Sequence, residues 1–282
     1  MSGPADSRSG VDPASAGRRR RRHPAFAIGG TITVRAYVGT AALAFVVLIA
    51  VWLVIRAMNL TPVLFLPGPI EVLDRLGRLA ADGTLWSDIS VSVWRIIVGF
   101  ALATVIAVPI GILIGTYRFA EALIEPFIDF VRYMPVVGFV PLTIVWIGID
   151  DSQKFAIVFI GTFFQEVLLV MDNVKRVPID LVNIGRTLGM RDGAILARIV
   201  APSAAPGIWD TLRISLGWAW TWVVLAELVA ATSGLGYRIN LAPRYFQTDV
   251  IIGYLIVLGI LGLATDQTMK GLGRFFFRWS ER

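Results

Sequence analysis

Residues 96–117 read IIVGFALATVIAVPIGILIGTY, twenty-two positions without a charge, bracketed by Arg95 and Arg118. A helix needs about 20 mostly apolar residues to cross a hydrocarbon core about 30 Å thick. This stretch meets that length. Working outward from it, residues 36–55 are also uncharged, between Arg35 and Arg56. Further apolar runs go from Tyr133 to Ile149 and from Phe155 to Met171, the latter with Gln165 and Glu166 inside it. A fifth covers about 208–231 and holds Arg213 and Glu227; a sixth covers about 250–270 and holds Asp266. The reading is an all-α membrane protein with six transmembrane helices.

Composition agrees. Of 282 residues, 56% are hydrophobic and 16% charged, and the mean hydropathy is +0.72. Soluble domains are about a quarter charged. This chain has too little polar surface to cover a globule of its size, which excludes a single water-soluble domain. The chain has no cysteine, so disulfides, thiolate metal sites and cysteine nucleophiles are excluded. Its one histidine, His23, stands in a basic tail. No metal site and no cofactor site are expected, since zinc is rarely held by carboxylates alone.

Basic residues accumulate on the cytoplasmic side of a membrane. With the N-terminus inside, only Arg56, Arg75, Arg78, Arg95, Lys154, Arg238 and Arg244 fall outside, leaving nineteen of 26 within. Both termini are therefore expected in the cytoplasm. The organisation follows: a flexible basic arm over 1–33, a first transmembrane helix over 34–57, and a periplasmic segment over 58–92. A five-helix core over 93–275 comes next, carrying a cytoplasmic loop over 172–206, and 276–282 is a cytoplasmic tail. The run Arg18–Arg22 is read as a topology anchor rather than a nucleic-acid site, because a span follows it. After the breaker Leu66-Pro67-Gly68-Pro69, apolar Ile70, Leu73, Leu76 and Leu79 recur at helical spacing among Glu71, Asp74, Arg75 and Arg78. That pattern gives an amphipathic helix, lying on the outer interface or packed on its own protein.

No phosphate loop GxxxxGK[ST], HExxH or GxSxG occurs, so no catalytic constellation is present and the chain is not read as an enzyme. Gly111 and Gly115 fit GxxxG, which permits close helix packing. The polar anomalies are Glu166, Glu227 and Asp266, each interrupting an apolar run toward its end. Such acids face a bundle interior or a wet cavity, where they line a path, gate it, or pair structurally. Pro135 either starts the third span or breaks it with Pro141.

Residues 172–206 form the longest inside loop. Leu181, Ile184, Leu188, Ile195 and Ile199 recur there at roughly helical intervals, and an amphipathic cytoplasmic segment calls for a partner. The stretch Asn183-Ile-Gly-Arg-Thr-Leu-Gly189, followed by Ile199-Val-Ala-Pro202, resembles the EAA loop of permease subunits of bacterial ATP-binding-cassette importers. Gly189, Ile199 and Pro202 fall at that motif's spacing; Asn183-Ile184-Gly185 stands where the family has EAA, and Ala201 where it has Leu. Ser92-Val-Trp-Arg95 with Gly99-Phe100, Arg132 to Gly148, Leu212 to Glu227, Gly234-Leu-Gly236 and Asp266 are similar to further marks of the nitrate/sulfonate/taurine-type branch.

The resemblance implies a type I importer permease fold in the bacterial inner membrane. It implies a dimer with a second copy of the chain, two cytoplasmic ATPase subunits that carry the ATP and Mg, and a periplasmic or lipid-anchored binding protein delivering a small solute. The solute class is a small anion such as nitrate, a sulfonate or taurine, or bicarbonate. Asn183, Arg186, Thr187, Leu188, Gly189, Met190, Arg191 and Asp192 are then the ATPase-coupling candidates. Phe139, Thr143, Trp146, Phe163, Gln165, Glu166, Trp218, Trp222 and Glu227 are the candidates for the translocation path. The competing reading is an ion-gradient-driven secondary transporter using Glu166, Glu227 and Asp266.

Overall fold

Five small residues recur every fourth position along one helix: Gly99, Ala103, Ala107, Gly111 and Gly115. They decide how the bundle is built. In the computed structural model, which describes residues 33–60 and 62–279, they lie on α3 (Thr84–Thr116) and face α6 (Asp151–Lys175). A Cβ added to Gly99, Gly111 or Gly115 would stand 2.7, 2.6 and 2.7 Å from the Cβ atoms of Val158, Val170 and Val174. The constant offset of 59 residues means that the two helices run parallel and in register. Small residues let their backbones approach, so packing replaces the hydrophobic effect that lipid cannot supply. The Gly111–Gly115 pair thus serves packing within the chain.

A third long helix, α9 (Ala201–Ala230), lies antiparallel to α6. Gly161 seats the Trp222 ring at one level, and Asn173 donates from its side-chain amide to Thr211 Oγ1 (2.8 Å) at another. On the far side of α9 runs α11 (Thr248–Phe276). It is held by Trp209 Nε1 to the Met269 carbonyl (2.8 Å) and Trp220 Nε1 to Thr265 Oγ1 (3.1 Å). The short α10 (Leu235–Leu241) and a 3₁₀ turn join α9 to α11.

The amphipathic helix predicted after the proline cluster is α2 (Pro69–Ala81). Pro69 occupies its first turn, where no N–H is needed, with Glu71 beside it and Arg78 in the last turn, each suiting the helix dipole. It packs on its own protein: Val72 is fully buried and Leu76 lies against Gly253 of α11. Ile70 and Leu73 keep an exposed apolar edge.

The third predicted span is corrected. The run Tyr133–Ile149 yields only α5 (Val136–Ile147), 12 residues and about 18 Å of rise, too short to cross a bilayer. It is preceded by α4 (Arg118–Arg132), and the two helices meet at 95°. The reason is Pro135, which is the N-cap of α5 and disfavours helical backbone in the residue before it. Pro141 lies within α5. Among the described residues, therefore, five helices are long and apolar enough to cross a membrane, and the bent pair α4–α5 makes a sixth candidate. All regular structure among the described residues is helical.

The chain divides into two units, residues 1–55 and 56–282. The first contains most of α1 (Val34–Ala57), a helix uncharged from Ala36 to Ile55. The basic arm expected over 1–33, including Arg18–Arg22, lies outside the described residues apart from Thr33, as do positions 280–282 of the tail. Two further boundaries differ from the run-based reading. Helix α3 begins at Thr84, well before the uncharged stretch, and Glu166 sits well inside α6 rather than near its end.

Candidate functional site

The segment after α6 is helical, as the spacing of its apolar residues predicts. Pro178 caps α7 (Ile179–Thr187), which ends where Gly189 takes φ +72. Met190 N–H donates to the Gly185 carbonyl (3.0 Å) and Gly189 N–H to that of Arg186 (2.9 Å). These two bonds are the Schellman stop, which needs a residue in the left-handed region, and glycine reaches it without a Cβ clash. Nothing lies within 4 Å of a Gly189 Cβ, so the turn alone accounts for that glycine. After it come α8 (Asp192–Ile195) and a π-helical turn, Leu196–Val200, that leads into α9.

Of the eight coupling candidates, seven are exposed: Asn183, Arg186, Thr187, Leu188, Gly189, Arg191 and Asp192. Met190 is half-buried against the cluster of Ile195, Val200 and Ala204. The Asn183 carbonyl accepts from the Thr187 hydroxyl (2.9 Å), tying the last turn of α7. Leu188 is 74% exposed and Ile184 56%, an apolar pair on the free face. Arg186 and Asp192 both line a 540 Å³ cleft between this segment and the α3–α4 corner. Sequence reasoning missed Gly185, which is buried with Ile199 Cδ1 2.8 Å from where its Cβ would stand. Its signal was a glycine followed by two isoleucines, Ile195 and Ile199, that stand one helical turn apart from each other.

At mid-height of α6, the α4–α5 break opens a cleft of 280 Å³. Three path candidates meet there: Phe139 from α5, Gln165 from α6 and Trp222 from α9. Arg132, Tyr133, Pro135 and Phe164 complete much of the wall. The Arg132 guanidinium lies 4.7 Å over the Tyr133 ring and pairs with Asp129 (2.9 Å). Trp222 lies across Gly161, whose added Cβ would be 2.5 Å from the ring. Its Nε1–H is sealed from solvent and has no acceptor among the described residues. Phe163 stands beside the cleft, stacked on Phe159 and edge-on to Phe164, each at 5.0 Å.

The other path candidates are placed elsewhere. Thr143 is buried; its hydroxyl donates to the Val140 carbonyl (2.9 Å) and accepts from Gln153 (3.2 Å). Trp146 and Trp218 are exposed. Glu166 is fully buried, with one oxygen accepting from Thr104 of α3 (3.3 Å) and the other unpartnered among the described residues. Asp266 is half-exposed, 3.6 Å from Arg213.

Glu227 belongs to a network at the end of the bundle that carries α10. Arg95 of α3 donates to Glu227 (2.9 Å), to Asp151 at the start of α6 (2.6 Å) and to the Ser233 carbonyl (2.7 Å). Ser92 and the Gly236 N–H also donate to Glu227, at 2.8 Å each. One helical turn away, Asp88 accepts from Arg238, the Tyr254 hydroxyl and the Gly234 N–H. Asp88, Ser92 and Arg95 share one face of α3 at positions i, i+4 and i+7. That spacing was the available signal for Asp88, which the sequence reading passed over.

Long apolar helices tied by buried charge, one of them broken at mid-height, with an exposed helical segment at one end, define a multi-span membrane protein of transporter type. Comparison with known proteins gives the family. The chain belongs to the binding-protein-dependent transport system inner membrane components, whose family model matches residues 107–278. Its relatives are ABC transporter permeases. One, a probable ABC transporter permease protein of Brucella abortus, is 41% identical over 240 residues, covering 85% of this chain and 95% of that one. The taurine transport system permease protein TauC of Escherichia coli is 30% identical, covering 83% and 86%. The bicarbonate transport system permease protein CmpB of Synechococcus elongatus is 28% identical, covering 76% and 81%. The fold is that of a chain in inward-facing structures of the MetNI methionine ABC transporter, with a TM-score of 0.57 at 20% identity over 71% of this chain and 97% of that chain.

Proposed function

We propose that this chain forms, as a dimer with a second copy of itself, the translocation path of an ATP-driven importer in the bacterial inner membrane. In this reading the topology is of type I, with six spans counting α4–α5 as one and both termini in the cytoplasm. Two cytoplasmic ATPase subunits carry the ATP and Mg chemistry, and this chain is not itself catalytic. A periplasmic or lipid-anchored binding protein delivers a small anion, of the kind named for the taurine and bicarbonate relatives.

The observation that carries the reading is α7. It is a short amphipathic helix with a firm glycine stop, its free face offering Ile184 and Leu188 flanked by Arg186, Arg191 and Asp192. An apolar pair rimmed by charge has the composition of a docking surface. It sits on the π-helical turn that begins α9, so a push on α7 reaches a path helix directly. Closure of the ATPases would swing α7 and rock α9 against α6 beside the cleft at the α4–α5 break.

The test is the native mass of the detergent-purified assembly, co-expressed with a cognate ATPase. Two copies of this chain with two ATPase copies is the expected result; a stable assembly of this chain alone would overturn the reading. A Gly189→Trp substitution should insert normally yet lose ATP-dependent uptake, and unchanged uptake would remove α7 from the coupling role.

A further inference from the structure

A further cleft lies away from the importer path, where α9 and α11 leave the apolar zone together. We propose that it holds the headgroup of an anionic phospholipid of the inner leaflet, of the phosphatidylglycerol type. The leaflet rests on the cytoplasmic placement of the C-terminus in the importer reading.

The cleft lies at headgroup depth. Helix α11 has 29 residues and rises about 43 Å, more than the roughly 30 Å of hydrocarbon. Its uncharged run ends at Asp266, and that of α9 begins after Arg213. Those two side chains stand 3.6 Å apart, so both helices change character at one level. Just beyond it opens a cleft of 340 Å³, with Asp210 and Arg213 on the α9 side and Lys270 and Arg274 on the α11 side. Its aromatic wall is fixed. Trp209 donates its indole N–H to the Met269 carbonyl (2.8 Å) and rests on Gly273, whose added Cβ would be 2.7 Å from Nε1. Tryptophan gathers at this depth, where its ring is apolar on one side and wet on the other.

The charge of the cleft is unmatched. Arg213 is engaged by Asp266 and by Asp210 (3.9 Å). Lys270 and Arg274 are exposed and have no ion-pair or hydrogen-bond partner among the described residues. Like charges four apart on a helix repel, and an anion between them removes that cost. A phosphodiester suits both: the guanidinium binds it as a fork and the ammonium as a point charge. A zwitterionic headgroup would instead bring its own ammonium to a wall with three cations against Asp210.

The face of α11 that leads to the cleft selects a lipid over a free phosphate. Ile256, Ile260 and Leu263 precede Gln267, Lys270 and Arg274 at spacings of three and four, so all six share one face. The three apolar residues are 39%, 61% and 62% exposed. An acyl chain lies along them while its phosphate reaches the two free cations at the end of the stripe.

The experiment is native mass spectrometry of the delipidated assembly of this chain with a cognate ATPase. It is titrated with dioleoyl phosphatidylglycerol, dioleoyl phosphatidylethanolamine and glycerol 3-phosphate in turn. Phosphatidylglycerol should bind saturably, one per copy of the chain and about tenfold more tightly than phosphatidylethanolamine. Excess glycerol 3-phosphate should not displace it. Lys270→Gln and Arg274→Gln should each weaken it about fivefold. Both positions are exposed, so neither substitution threatens the fold. Arg176→Gln removes a like charge at an exposed position outside the cleft and should leave binding unchanged. Equal affinity for phosphatidylethanolamine would make the cleft an unselective lipid groove. Displacement by glycerol 3-phosphate would make it a soluble phosphate site, and an equal loss in Arg176→Gln would reduce it to diffuse surface charge. Each of these results, or the absence of saturable binding, would overturn the proposal. An assembly that hydrolyses ATP but shows no preference for phosphatidylglycerol defeats this proposal alone. A chain that binds the lipid through Lys270 and Arg274 but never joins an ATPase supports the site and defeats the importer reading.

Discussion

The Arg95 guanidinium meets the Glu227 carboxylate at 2.9 Å with 4% and 0% of the two side chains exposed, joining α3 to α9 inside the bundle. Every remaining site on the carboxylate is engaged by Ser92 or the Gly236 N–H. Removing one partner of a buried pair leaves the other charge uncompensated and costs about 3–5 kcal/mol. Arg95→Leu should therefore lower the thermal unfolding midpoint in detergent sharply. The double substitution Arg95→Leu with Glu227→Leu should recover part of that loss. A double variant as unstable as the sum of its parts would show that the pair is not the source of the stability.

The α3–α6 seam predicts a graded response. Gly111→Leu places a branched side chain where Val170 Cβ already stands 2.6 Å from the added Cβ and the Val167 carbonyl 2.7 Å. Overpacking of this kind costs about 1–3 kcal/mol, and more where backbone blocks relief. Gly259→Ala on α11 meets nothing within 4 Å and should be neutral. Unfolding midpoints of the two variants, measured side by side, check the contrast. Equal effects would mean that the seam is looser than drawn.

Most of the architecture was legible because lipid imposes length and apolarity directly on the sequence, as in residues 96–117. The α4–α5 break was not. Pro135 was visible, but an amphipathic run with Glu121, Glu125, Asp129 and Arg132 reads as surface until Lys175 is seen to pair with Glu121 (3.0 Å) and Ile128 to pack beside Leu168. The same limit applies to the sites. Gly189 announced a turn by its residue type alone. Glu227 was noticed as an acid among apolar residues, yet its partner Arg95 stands 132 positions away, and no local pattern joins them. Phe139, Gln165 and Trp222 converge only because α5, α6 and α9 meet at one level.

Acid should loosen the α2–α3 corner. The Thr84 backbone N–H donates to Asp82 (2.9 Å), and this bond holds the Asp82 carboxyl below its ordinary range. A depressed folded value means that the stabilisation is present above the unfolded value, near 3.9, and is lost as pH falls through the lower folded one. Protection of the Thr84 to Ser87 amides, exchange taken relative to its intrinsic rate at each pH, should be flat from neutrality down to about pH 5 and fall only in stronger acid. In Asp82→Ala it should already be low at neutral pH. Acid-independent protection in the parent chain would remove the carboxylate from this cap.

Asp266 separates the importer from its gradient-driven rival. A coupling acid must change protonation or bind an ion as the path turns over, so its amide should abolish transport. Here Asp266 is 43% exposed and stands 3.6 Å from Arg213, itself 24% exposed. Ion pairs open to solvent contribute about 0–1 kcal/mol, which leaves Asp266 a minor tie between α9 and α11. Asp266→Asn should therefore keep ATP-dependent uptake in proteoliposomes within about threefold of the parent, the factor that 0.6 kcal/mol corresponds to. Uptake should also be indifferent to an imposed proton or sodium gradient. Uptake that needs such a gradient and vanishes in Asp266→Asn would transfer the driving force from the ATPases to the acids of the spans.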